Sequence, residues 1–253
     1  MSARKAPATA LPESGAALAR ELVLRFGGHP AGELGVELGT PDESDLERWL
    51  VATCLLATRA REELALAAFR SLEKADLAQP RELAESDLLD VAGHLAGAEL
   101  PGAEAVAQRL LRLSQALVSE YTGSVSSLAN RCADLEELAS RLWRLAPGFG
   151  RAAVHRFLQP LRDLWPAAAD VPLDPAARAA AVHLGLIAPG QDEELGPGAL
   201  LAALREDDAP QLRDVEAALA RLGRQSCLRE HSSRCPLGAQ CPVAASVPDA
   251  PTR

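Results

Sequence analysis

Three of the five cysteines, Cys227, Cys235 and Cys241, crowd towards the C-terminal end of a 253-residue chain. With His231 between the first two, the spacing is C-x3-H-x3-C-x5-C. Three thiolates and an imidazole can hold tetrahedral zinc; the plainer reading is three cysteines without a metal. Five cysteines in a chain this long do not make a disulfide scaffold. A second set is Leu145-Ala146-Pro147-Gly148-Phe149-Gly150-Arg151. Glycines at 148 and 150 can take positive φ and expose backbone N–H groups, and a helix begins directly after them. That arrangement offers amides and the positive end of a helix dipole to a phosphate, and Arg144 and Arg151 would add charge-assisted contacts. The alternative is an ordinary glycine-rich corner between two helices. The third set is Asp174-Pro175, which reads as an N-cap followed by proline at the first helical position.

The elements that must position these groups are helical. Apolar residues at Ala19, Leu22, Val23 and Phe26 predict a first helix from Glu13, stopped by Gly27-Gly28. Residues 29–41 read as a connector. The next helix starts at Pro41-Asp42-Glu43-Ser44 and is apolar on most faces through Ala57, so it is expected to be central and buried. Further helices are predicted at 60–74, 85–96, 102–121, 133–145, 151–164, 175–184, 198–205 and 210–223. The breaks fall at Gln79-Pro80, 97–102, 122–130, the 146–150 turn, 165–172 and 188–198. No strand outcompetes a helix, and the predicted class is all-α. Residues 1–12 are expected to be disordered.

Composition narrows the function. Hydrophobic residues make up 48% and charged residues 24% of the chain, enough for a sizeable core. No apolar run approaches the ~20 residues that span a bilayer, and the first eleven residues lack the apolar stretch of a signal peptide. Both point to the cytoplasm. The formal net charge of −9 argues against a protein that is basic all over. Charge is uneven, however. Residues 82–104 carry six acids and no Lys or Arg, whereas 141–165 carry five arginines against Asp163 alone, and 221–253 five arginines against two acids. The turn and the cysteine tail are the two basic islands, and a polyanion would dock there.

L-x-P-G-x-G-R between two helices resembles the helix–hairpin–helix signature of the endonuclease III-like DNA glycosylases. Downstream, Leu173-Asp174-Pro175 followed by His183-Leu184-Gly185-Leu186 is similar to the segment that carries that family's catalytic aspartate. Upstream, residues 46–60 (LERWLVATCLLATRA) resemble its central barrel helix. Gly223-Arg224-Gln225-Ser226-Cys227, with Cys235-Pro236-Leu237-Gly238-Ala239-Gln240-Cys241, resembles its iron–sulfur loop. These motifs span about 13 to 242 in the family's order. The resemblance implies a base-excision repair protein that binds damaged double-stranded DNA as a monomer, in the cytoplasm at the nucleoid. Asp174 would stabilise positive charge on the sugar as the glycosidic bond breaks. The hairpin contacts would come from Arg144, Gly148, Phe149, Gly150, Arg151 and Ala152. Cys227, His231, Cys235 and Cys241 would hold a [4Fe–4S] cluster, with His231 in place of the family's second cysteine, and Arg224, Arg229 and Arg234 would meet the DNA backbone.

The chain also departs from the family. Its lyase lysine is replaced by Ala152, so no amine is available for a Schiff base, and the implied activity is that of a monofunctional N-glycosylase. The residue that fills the space left by a flipped base is replaced by the short Thr58, and the aspartate segment reads Leu-Asp-Pro-Ala. These losses support a rival: a DNA-binding protein of the same fold without catalysis. A third reading is an interaction protein that docks a partner on the acidic face 82–104. The expected architecture is two-lobed. A helical barrel of 42–173 contains the hairpin at 137–164, and a second lobe joins 13–41 to 174–253, with Asp174 at the mouth of the cleft. Trp49, Trp143 and Trp165 are expected to serve core or interface packing, Cys54 and Cys132 to be small packing residues, and His155 to be solvated.

Overall fold

The computed structural model describes residues 15–145, 150–190, 196–204, 209–229, 235–238 and 241–245. All regular structure among them is helical: α1 (Gly15–Phe26), α2 (Pro30–Glu33), α3 (Glu43–Leu56), α4 (Glu62–Lys74), α5 (Pro80–Glu85), α6 (Leu88–Gly97), α7 (Ala103–Tyr121), α8 (Val125–Ala129), α9 (Leu135–Leu145), α10 (Arg151–Leu158), α11 (Pro175–His183), α12 (Gly196–Ala203), α13 (Leu212–Gln225) and α14 (Pro242–Ala245). None of the described helices is long and apolar enough to cross a membrane. The chain forms two compact units: a central unit, Pro30–Val171, and a split unit that joins Met1–His29 to Pro172–Arg253.

In the central unit, α3 is the pivot. Asp42 caps it by accepting a hydrogen bond from Asp45 N at 2.9 Å, and the helix is buried almost all round from Leu46 to Leu56. A helix apolar on every face is stable only when other helices wrap it. Here α4, α5, α7, α8 and α10 do so. Trp49 Nε1 donates to the Phe157 carbonyl at 3.0 Å, which satisfies its one polar atom in the core. Arg156 Nη1 donates to the Leu56 carbonyl at 2.7 Å and closes the C-terminal end of α3. These two bonds fix α10, the helix after the hairpin, against the most buried element of the unit.

The split unit is built on α13, whose apolar residues Val215, Ala218, Leu219 and Leu222 share a core with Leu18, Ala19 and Leu22 of α1 and with Ala177, Ala180 and Ala181 of α11. The small alanines allow α11 and α13 to approach closely. Arg221 of α13 donates to the Phe26 and Gly28 carbonyls at 2.9 and 2.7 Å, satisfying the C-terminal end of α1.

Several boundaries differ from the sequence reading. The connector 29–41, expected with the N-terminal helix, packs from Pro30 onwards into the central core through Ala31, Leu34, Val36 and Leu38. The helix expected at 85–96 starts only at Leu88, where Asp87 accepts from Leu89 N at 2.8 Å and caps it, and a separate short helix, α5, precedes it. The expected break at 122–130 contains α8, capped by Ser124 and further held by the Glu43 carboxylate, which accepts from Val125 N and Ser126 N. The hairpin's second helix ends at Leu158 rather than 164, and a 3-10 turn takes over where Pro160 has no N–H to give. Trp143, expected to pack, is 62% exposed.

Candidate nucleic-acid interface and the Asp174 site

Asp174 is the N-cap of α11, with Pro175 at the first helical position. Its Oδ1 accepts from Ala176 N at 2.7 Å and Ala177 N at 3.3 Å. Its Oδ2 accepts from Arg224 Nη1 at 3.1 Å, and its own N–H donates to Glu216 Oε1 at 2.8 Å. Both carboxylate oxygens and the backbone are therefore held, yet the Asp174 side chain keeps 23% of its surface exposed and that of Arg224 43%. A carboxylate fixed on a helix N-terminus and open on one side can face developing positive charge. Arg224, expected to contact DNA, is the ion-pair partner of Asp174, a pairing absent from that expectation. The pair exists because Gly223 lets α13 cross the first turn of α11: a Cβ on Gly223 would lie 2.0 Å from the Ala176 carbonyl oxygen.

Glu216 and Gly223 were not singled out by the sequence reading. Glu216 had a visible signal, since it is an acid set in the apolar stripe of α13 and is only 4% exposed. Gly223 stood in the Gly-Arg-x-x-Cys motif, and its use there is the helix crossing.

The helices that flank the expected hairpin, α9 and α10, lie in the central unit. Gly148 and Phe149 fall outside the described residues. Gly150 is the N-cap of α10 with φ −69° and ψ 169°, extended backbone rather than the positive φ expected of it. No side chain caps this end. The first-turn amides of Arg151 and Ala152 are thus left without the side-chain acceptor that usually covers such groups. Arg144 and Arg151 are exposed, whereas Arg141 is tied to Glu137 at 2.6 Å. Ala152 is exposed and brings no amine. His155 is half-buried rather than solvated; burial, then the Arg151 and Arg162 charges, hold its imidazole below the ordinary histidine range. Thr58 donates to the Leu55 carbonyl at 2.8 Å and serves as the stop of α3.

The three cysteines share one neighbourhood in the split unit. Cys227 opens a 3-10 turn after α13, while Cys235 and Cys241 are buried in the core. The Cys235 sulfur accepts from the Leu237 and Gly238 amides and shares a hydrogen bond with Cys241. Burial and then the nearness of Cys235 and Cys241 push the Cys227 thiol up to about 11. His231, the fourth expected ligand, lies outside the described residues, and among the described residues no three ligating side chains stand close enough to hold a metal ion.

No family model matches the chain, and no curated protein matches it. Among solved structures, it is similar to the crystal structure of H. pylori 3-methyladenine DNA glycosylase (MagIII) bound to 1,N6-ethenoadenine, with a TM-score of 0.50 and 14% identity. The similarity covers 84% of this chain and 98% of that one. The all-α architecture described above is thus shared in fold with that glycosylase.

Proposed function

We propose that the protein is a base-excision DNA N-glycosylase, similar to the endonuclease III-like enzymes and monofunctional, acting as a monomer on damaged double-stranded DNA. The observation that carries this reading is Asp174, fixed on the α11 N-terminus by two amides, Arg224 and Glu216. A carboxylate so placed stabilises the positive charge that builds on the deoxyribose as the C1′–N bond lengthens. The base leaves with the bonding pair, water adds to C1′, and Asp174 is the group that can take the water's proton. Ala152 cannot form a Schiff base, so the reaction stops at the abasic site without strand cleavage. The amides of Arg151 and Ala152, with Arg144 and Arg151, hold a backbone phosphate and set the register of the duplex. Cys227, Cys235 and Cys241, with His231, would be the ligand set for a [4Fe–4S] cluster, the alternatives being zinc or three cysteines without a metal. Such a group would tie the C-terminal loop to the helix that carries Arg224. Iron and acid-labile sulfide analysis of protein purified without air distinguishes the two metals.

One observation favours a second reading, a DNA-binding protein of this fold without catalysis: Arg224 occupies the Oδ2 of Asp174 that an active carboxylate would turn to the sugar. A panel of damaged duplexes separates the two. The glycosylase reading expects base release by the wild type and none by Asp174→Asn, with duplex binding retained by both. Wild-type binding without release from any lesion would replace it by the second reading.

A further inference from the structure

Along α9, Leu135, Ala139 and Trp143 recur every fourth residue and so share one face of the helix. They line a surface cavity of about 690 Å³ together with Arg151, Val154 and His155 of α10. The volume lies within the range of small-ligand sites. Its lining is unusual for a structural groove, since it has an apolar floor, an indole that is 62% exposed and a guanidinium. Among the described residues Arg151 makes no ion pair. Glu136 and Ser140 lie at the same cavity and bring hydrogen-bonding groups, and His155, whose imidazole is held below the ordinary histidine range, lines it as well.

We propose that this cavity receives an unpaired nucleotide of a DNA strand, its base stacked on the Trp143 indole and its phosphate on Arg151. The proposal rests on the DNA-binding reading above and deepens it, because it names as the preferred substrate a duplex with single-stranded nucleotides beside the hairpin contact. A flat aromatic surface next to a guanidinium matches the two parts of a nucleotide, the π-face of the base and the phosphate. The charge available at this face is that of the exposed Arg151 and of Arg144, next in the chain to Trp143, against the single carboxylate of Glu136, which favours an anionic strand over an acidic peptide of lower charge density. The site is also continuous with the proposed phosphate contact, since Arg151 belongs to both.

The test uses the full chain at one fixed salt concentration, with a blunt duplex, the same duplex carrying a single-stranded thymidine tail, and oligothymidylate. The wild type is expected to bind the tailed duplex about tenfold more tightly than the blunt one, the scale of one base–aromatic stack. Oligothymidylate is expected to quench its tryptophan fluorescence. Trp143→Ala should abolish both the preference and the quenching while leaving blunt-duplex affinity unchanged, and Trp143→Phe should keep most of the preference. Equal wild-type affinity for tailed and blunt duplexes, or a preference that survives Trp143→Ala, overturns the proposal and leaves the DNA-binding reading standing. Failure to bind either duplex overturns both.

Discussion

Replacing Gly223 by alanine tests the contact on which the Asp174 site depends. The new Cβ would stand 2.0 Å from the Ala176 oxygen and 2.5 Å from its carbonyl carbon, where ordinary contact begins at 3.4 Å. Both atoms are backbone, so no rotamer change relieves the clash, and α13 must move away from α11. Two opposing magnitudes decide the outcome. Alanine is favoured over glycine in a helix by up to about 1 kcal/mol, and by less this close to the end of α13. Overpacking of this kind costs about 1–3 kcal/mol, and parting the helices also removes the Arg224–Asp174 pair, worth at most ~1 kcal/mol for partly exposed side chains. The clash wins, and Gly223→Ala is expected to be about 1–3 kcal/mol less stable than the wild type in urea unfolding followed by far-UV circular dichroism. Base release, if present, should fall with it, because Asp174 loses one of the groups that orient it. A Gly223→Ala variant as stable as the wild type, or more so, would refute the close crossing of the two helices.

Two further outcomes follow from the central unit. Burial, with Glu43, Glu82 and Asp42 nearby and only Arg81 opposing them, pushes the Glu47 carboxyl from 4.5 up to about 7. Between those values the folded protein keeps a proton that the unfolded chain has lost, so stability falls as pH rises through that window and the cost is complete above about pH 7. Glu47→Gln should therefore be about 2–3 kcal/mol more stable than the wild type at pH 8, with the gap closing at pH 4.5; an equal gap at both pH values would contradict this. Separately, Arg144→Ala and Arg151→Ala should each weaken duplex binding and reduce the slope of log affinity against log salt by about 1. Unchanged slopes would remove these side chains from the phosphate contact.

The reading of the sequence succeeded where a local rule agreed with the tertiary environment. The burial of α3 follows from its apolar residues on every face, and the start of α11 from Asp174-Pro175. It failed where a distant group decided the matter. The connector 29–41 has no helical period, yet Ala31, Leu34, Val36 and Leu38 enter the central core. Nothing local shows that Glu43 will hold the α8 N-terminus, 82 residues further on. At the site, the cap role of Asp174 was legible, but its pairing with Arg224 was not. That pairing joins residues 50 apart and requires a helix crossing that only the missing Cβ of Gly223 permits. Trp143 was misjudged because large aromatics are usually buried, and its position on the outward face of α9 is set by Leu138, Leu142 and Leu145, which take the buried face.

The division of the chain into units imposes an order of assembly. The central unit is one continuous stretch, Pro30–Val171, and can collapse on contacts made within itself. The split unit cannot: α1 packs on α13 and shares its core with α11 and with Leu200 and Leu204, all beyond residue 172, and the bond from Arg221 to Phe26 closes a loop of 195 residues. So long a closure is entropically slow until the intervening stretch has already condensed and drawn its ends together. During synthesis α1 therefore waits, with the apolar face of Leu18, Ala19 and Leu22 unpaired, until α13 has left the ribosome. The Asp174 site, whose Arg224 and Glu216 come from α13, is accordingly among the last parts of the molecule to take shape.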